Sequence, residues 1–103
     1  MPPKRGLRKT IDDETLVTCA SGTGLIREEV WVDGSGAVGR YNLAFINHFM
    51  TRKDYGRVLG YDNAHGVPHR HFYGVVETMQ AERYDAILER FLGEVKALRK
   101  EMP

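Results

Sequence analysis

The residues best suited to chemistry lie in one short segment, 61–73, which reads Tyr-Asp-Asn-Ala-His-Gly-Val-Pro-His-Arg-His-Phe-Tyr. It holds three of the four histidines of the chain, together with an aspartate, an asparagine and an arginine. Because the ordinary pKa of histidine lies near ~6.5, an imidazole can accept or donate a proton at neutral pH. The candidate catalytic residues are therefore His65, His69, His71, Arg70, Tyr73 and Asp62.

One chemistry that fits these residue types is RNA cleavage without a metal ion. One imidazole would take the proton of the 2′-hydroxyl group, and another would protonate the departing 5′-oxygen. Asp62 would hold one imidazole in the useful tautomer, while Arg70 or Arg57 would stabilise charge on the phosphate. Tyr73 would add a hydrogen bond or a stacking contact. This reaction needs no cofactor, and its candidate substrate-binding residues are Arg57, Asn63 and His48.

Three alternatives stay open for the same segment. His69 and His71 form a His-x-His pair that, with His65 and Asp62, would complete a tetrahedral zinc site. The histidines and tyrosine would also suit a surface that contacts a partner protein. In the third alternative the segment has no activity, and its polar residues only build a loop.

Two strands must position this segment. Its polar residues, Gly66 and Pro68 predict a turn between strands at 57–62 and 69–76. Since strand side chains alternate, His69, His71 and Tyr73 should share one face, with the two imidazoles about 7 Å apart. The same alternation points Arg70 to the opposite face unless the strand is bulged.

The remainder of the chain predicts an α+β fold. Further strands are expected at 15–19, 25–32 and 39–50, and from 79 to 102 the apolar period changes to that of a helix. Gly93 interrupts this helix and suggests close packing there, because it costs roughly 1 kcal/mol relative to alanine. We predict a curved antiparallel sheet of four to five strands with one long C-terminal helix packed on one face.

The bulk composition restricts the function. We expect residues 1–13, which contain a basic cluster, to be a flexible arm, and residues 14–103 to form a single domain. A net charge of +1 creates no overall field for nucleic acid, so a local patch must bind it. The single cysteine, Cys19, excludes an intrachain disulfide and fits a reducing cytoplasm. No apolar stretch is long enough to predict a membrane span.

Segment 60–66, followed by His69-Arg70-His71, resembles the signature of the TumE family of small bacterial toxin components. The resemblance covers roughly residues 14–98 and includes the strand around Trp31, the strand at 41–46, Glu77 and the Phe91-Leu92 pair. The arm at 1–13 has no counterpart, and residues 79–83 differ from the turn expected before the helix.

This resemblance implies a toxin of a type II toxin-antitoxin pair, made with a helix-turn-helix antitoxin from the neighbouring gene. The candidate partners are that antitoxin, RNA and a second copy of the chain. We expect a ribonuclease toxin, with a non-enzymatic protein that blocks a cellular target, or a metal-binding protein, as alternatives.

Overall fold

The computed structural model describes residues 6–102, which form one antiparallel sheet and one long helix. The expected α+β class is confirmed. The six strands follow one another across the sheet in chain order, so that β1 and β6 form its two edges. The elements are β1 (Arg8–Val17), β2 (Gly24–Val32), β3 (Val38–Ile46), β4 (Arg57–Asp62), β5 (His69–Phe72), β6 (Val75–Thr78) and α1 (Tyr84–Leu98).

The helix packs on one face of the sheet, over β3 and β4. Its apolar stripe recurs every three or four residues, as an amphipathic helix requires, and buries Ile87, Phe91 and Val95. The sheet contributes alternate residues of its central strands, such as Leu43 and Phe45, to the hydrophobic core under the helix. The opposite face therefore remains available for the polar residues of the candidate site. No helix in the described part of the chain is long and apolar enough to cross a membrane.

Strand β1 begins at Arg8, earlier than the strand expected at 15–19. Residues 8–13 belong to β1, which pairs with β2 from Arg8 opposite Val32 to Val17 opposite Gly24. Their side chains are polar and mostly exposed, so the sequence shows no buried face there, but their backbone pairs with β2, and a few cross-strand ion pairs add to that pairing. Lys9, for example, lies 2.8 Å from Glu29. The first five residues of the expected arm lie outside the described residues.

The expected strand at 69–76 is two strands, which is why the sheet has six strands rather than four or five. Tyr73 and Gly74 have φ angles of 50° and 84° and join β5 to β6. A two-residue loop with positive φ at both positions matches a type I′ hairpin turn, whose twist suits neighbouring antiparallel strands. Tyrosine rarely adopts this conformation, so the sequence pattern conceals the turn.

Two expectations about the helix are wrong. It begins at Tyr84 instead of 79: the backbone N–H of Met79 still donates to the carbonyl of Pro68, 2.9 Å away, and Arg83 has an extended backbone with a ψ of 144°. Gly93 is exposed, and a Cβ atom built on it would meet no other atom within 4 Å. Close packing therefore does not explain this glycine.

Candidate functional site

His71 lies at the centre of the site, held through both ring nitrogens. Its Nε2 is 2.7 Å from Asp62 Oδ2, and its Nδ1 is 3.0 Å from Arg57 Nη2. A guanidinium group can only donate hydrogen bonds, so Nδ1 must accept from Arg57. The proton of the neutral ring consequently sits on Nε2 and is donated to Asp62. Two neighbours thus fix one tautomer of the imidazole.

The pairing of β4 with β5 brings these groups together. Asp62 lies opposite His69, and Gly60 lies opposite His71, so all four residues share the face away from the helix. Because Gly60 has no side chain, that of Arg57 can cross the strand above it. A Cβ atom at Gly60 would approach Arg57 Cδ to 2.8 Å.

Asp54 holds the same guanidinium group of Arg57 through a second nitrogen. The Nε of Arg57 donates to Asp54 Oδ2 across 2.7 Å, and about three quarters of each side chain is buried. Asp54 lies in the short 3₁₀ turn Lys53–Gly56 at a φ of 51°. Sequence reasoning missed Asp54 and Gly60. The available signals were an acidic residue three positions before the arginine and a glycine inside a strand, which often marks a close approach of other groups.

His69 provides a second imidazole on the same face, as the strand alternation predicts. The centroids of the His69 and His71 rings are 6.4 Å apart. We call Arg57, Asp62, His69 and His71 the histidine cluster. It borders an open groove of about 590 Å³, which is lined by Lys53, Asp54, Arg57, His71, Tyr73, Gly74, Val75 and Val76.

Tyr73 lines this groove from the β5–β6 turn. Its ring packs edge-on against Phe72, with centroids 4.7 Å apart. Burial, and secondarily the charge of Glu101, raises the pKa of the Tyr73 hydroxyl above its ordinary value. The rings of Tyr73 and Phe72 both pack against the hydrophobic core.

The candidate catalytic residue Arg70 lies on the face of the sheet opposite the histidines, as the strand alternation predicts. Its Nε donates to the Tyr61 hydroxyl at 3.0 Å, and its Nη2 donates to Glu94 Oε2 at 2.7 Å. The Tyr61 hydroxyl also donates to Glu94, which belongs to the helix. Burial, together with the hydrogen bond to Glu94, raises the pKa of Tyr61. Arg70 thus links sheet to helix, and Arg57 is the arginine that contacts a candidate histidine.

Three other predicted residues lie apart from the histidine cluster. Asn63 binds the turn to β3, because its Oδ1 accepts from the backbone N–H of Tyr41 at 2.9 Å. His48 packs on Gly56, where a Cβ atom would lie 2.4 Å from its Nδ1. His65 is exposed in the turn Ala64–Gly66 at a φ of 66°. Among residues 6–102, none of the three forms a hydrogen bond with the cluster.

The zinc-site alternative finds no support in this geometry. Within the described residues, no three histidine, cysteine, aspartate or glutamate side chains are placed to hold one ion. Both nitrogens of His71 already have partners, and the positive charge of Arg57 at one of them would repel a cation.

No protein-family model, curated protein or solved structure matches this chain. The TumE assignment therefore remains a prediction from residues 60–71 and their sequence context.

His71 and Asp62 have the arrangement of a general base, and Arg57 covers the ring nitrogen that would accept the proton. A carboxylate that orients a neutral imidazole also stabilises the imidazolium that forms when the ring takes a proton. Here the accepting nitrogen of His71 is covered by Arg57. An anion entering the groove would attract the guanidinium group and uncover that nitrogen.

Proposed function

We propose that this protein is the toxin of a bacterial type II toxin-antitoxin system and that it cleaves RNA without a metal ion at the histidine cluster. One observation carries the chemical part: His71 is held between Asp62 and Arg57, with His69 beside it, on an open sheet face. The resemblance to the TumE family supports the toxin part.

In the proposed reaction the substrate phosphate first draws Arg57 away from His71. The freed Nδ1 accepts the 2′-hydroxyl proton, and the 2′-oxygen forms a bond to phosphorus. The bond between phosphorus and the 5′-oxygen breaks, while a protonated His69 donates its proton to the 5′-oxygen. The products are a 2′,3′-cyclic phosphate and a 5′-hydroxyl end, so atoms and charge balance.

The other residues of the cluster stabilise charge in this sequence of steps. Asp62 lies 2.7 Å from Nε2 of His71 and would offset the positive charge that the ring gains. Arg57 would offset the charge that develops on the phosphate oxygens. Asp54 keeps Arg57 near the groove until an anion arrives.

The proposal includes a helix-turn-helix antitoxin as partner and the cytoplasm as the place of action. The resemblance to the TumE family supports a helix-turn-helix antitoxin as the partner. The free, buried thiol of Cys19 is compatible with a reducing compartment.

One observation favours a second candidate, a toxin that blocks its target by binding. The edge strand β6 exposes 66% of Val75 and 55% of Val76 directly beside the groove. An apolar sheet edge is typical of sites where another protein adds a strand. The same surface would then hold a protein target rather than RNA.

Incubation of the purified protein with bulk RNA, with and without chelator, separates these candidates. We expect chelator-resistant cleavage that leaves cyclic phosphate ends and falls at least about 100-fold in His71→Ala and in His69→Ala. His48→Ala, which removes a histidine outside the cluster, serves as the matched control and should retain cleavage. Intact RNA with the wild-type protein would favour the binding toxin, and loss of cleavage in chelator would refute the metal-free reaction.

A further inference from the structure

The sheet face that carries the histidine cluster continues as an open surface towards β2. A depression of about 250 Å³ shares Asp54 and Arg57 with the groove described above. A further depression of about 380 Å³ shares Asn42 with the second one and includes Asp62 of the cluster. The three depressions are therefore neighbours across the strands, and we call them together the sheet-face track.

The far end of the track is formed by Trp31, the only tryptophan of the chain. Its side chain is partly exposed and does not belong to the hydrophobic core. Two cations lie over its ring, with Lys9 Nζ 5.0 Å and Arg40 Cζ 4.7 Å from the ring centroid, so a base that stacks on the ring displaces one of them. Lys9 and Arg40 occupy the cross-strand positions on either side of Trp31.

We propose that the sheet-face track binds single-stranded RNA, with one base stacked on Trp31 and the backbone running past Arg40 and Arg57 to the histidine cluster. The choice of RNA rests on the proposed function. An aromatic ring beside cations on an open antiparallel sheet is the arrangement by which proteins hold single strands, since bases stack on the ring and phosphates meet the cations.

The polar residues between the two ends suit the edge of a base. Asn42 and Glu29 are joined by a 2.8 Å hydrogen bond next to Trp31 and offer amide and carboxylate groups to base donors and acceptors. The guanidinium of Arg40 lies over the Trp31 ring, so a phosphate next to a base at this position would meet its charge. A duplex would keep its bases paired and stacked, so that Trp31 could not reach them.

The spacing allows one strand to contact both ends. Trp31 is on β2 and His71 is on β5, three strand separations apart, and the register places His71 level with Arg27, four residues along β2 from Trp31. Together the two offsets correspond to about 19 Å. A few extended nucleotides span such a distance. The base on Trp31 would consequently set which phosphate reaches the cluster.

Trp31 fluorescence tests this inference directly, because no other tryptophan contributes to the signal. A short oligouridine is titrated into the His71→Ala protein, in which the proposed cleavage is blocked. We expect saturable quenching by the single strand and little quenching by an RNA duplex of equal length.

Anisotropy of a labelled oligouridine gives the second measurement. Trp31→Ala should raise the Kd at least about 5-fold, and Trp31→Phe should restore most of the affinity because stacking is retained. Arg40→Ala should weaken binding as well. Arg83→Ala removes an exposed arginine at the start of the helix and is the charge-matched control, with an unchanged Kd expected.

The outcomes separate this inference from the proposed nuclease. Quenching by oligouridine while wild-type protein leaves RNA intact supports the track and refutes the nuclease. RNA cleavage without quenching, and with an unchanged Kd for Trp31→Ala, refutes the track alone. Equal quenching by duplex RNA contradicts the single-strand specificity, and absence of both binding and cleavage refutes both proposals.

Discussion

The two arginines near the candidate histidines have different roles because they lie on different faces of the sheet. Arg70 is in β5, where alternation directs it towards the helix and Glu94. Arg57 is at the start of β4 and reaches His71 across Gly60. Both carry the same charge, so only their positions distinguish a residue that holds the fold from one that can meet a substrate.

Replacing each arginine by alanine should separate these roles. Arg70→Ala should lower the free energy of unfolding by about 1.5–3 kcal/mol, because Tyr61 and Glu94 lose a charged hydrogen-bond partner. Its RNA cleavage per folded molecule should persist. Arg57→Ala should reduce cleavage per folded molecule about 100-fold or more, and it should also lower the free energy of unfolding by about 1.5–3 kcal/mol, because Asp54 and His71 lose a charged donor. Urea denaturation and initial cleavage rates measure the two effects.

The opposite pattern would contradict this assignment. If Arg70→Ala abolished cleavage while folding remained intact, Arg70 would have to reach the substrate from the helix face. A Lys substitution at each position provides the charge-conserving control, since lysine keeps the charge but not the planar fork of the guanidinium.

Part of this site can be predicted from the sequence, because it depends only on the local geometry of a strand. The period of two along a strand is enough to place His69 and His71 on one face and Arg70 on the other. The contact of Arg57 with His71 depends instead on an irregular register between β3 and β4 and on the missing side chain of Gly60. Such long-range features leave no periodic signal in the sequence.

At the level of secondary structure, two glycines differ in whether the backbone conformation requires a residue without a side chain. Gly74 has a φ of 84° in the β5–β6 turn, a conformation that residues with a Cβ atom adopt only at a cost. Gly93 occupies an exposed helical position with open space around it. The first glycine is required by the backbone, and the second is not required by any contact within the described chain.

Alanine at these two positions should therefore change stability in opposite directions. Gly93→Ala should raise the free energy of unfolding by about 1 kcal/mol, because alanine favours the helix and meets no obstacle. Gly74→Ala should lower it by about 1–2 kcal/mol through backbone strain, since the nearest atom, Lys53 Cβ, would be at an ordinary contact distance of 3.5 Å. Urea denaturation with an unchanged m-value checks both. Destabilisation by Gly93→Ala would show that the helix is crowded there after all.

The sequence predicts individual elements well where a buried face gives a pattern. Strand β4 matches its expected range, and the helix is recovered from its apolar stripe although it starts later. The outer half of β1 is missed because Asp12, Asp13 and Glu14 are exposed and carry no alternation. The β5–β6 turn is missed because Tyr73 stands where glycine or asparagine is usual.

On the scale of the whole molecule, the fold separates stability from the candidate function. The described chain measures 52 × 25 × 22 Å, with a radius of gyration of 14.5 Å. A compact domain of this length is expected at about 13 Å, so the molecule is elongated. The core lies under the helix at β3 and β4, while the histidine cluster and the sheet-face track lie on the other side. Substitutions on the open face therefore leave the hydrophobic core itself unchanged.

Amide hydrogen exchange should reveal this uneven stability. We expect the slowest exchange in β3, β4 and the middle of α1, where side chains such as Phe45, Leu59 and Phe91 are fully buried. Residues 8–13 of β1 and all of β6 should exchange fastest among the strands, because both form sheet edges with mostly exposed side chains. Exchange followed by NMR in native buffer measures the difference residue by residue. Equal protection across all six strands would mean that the molecule opens only as a whole, and that the edge strands are as firmly held as the core.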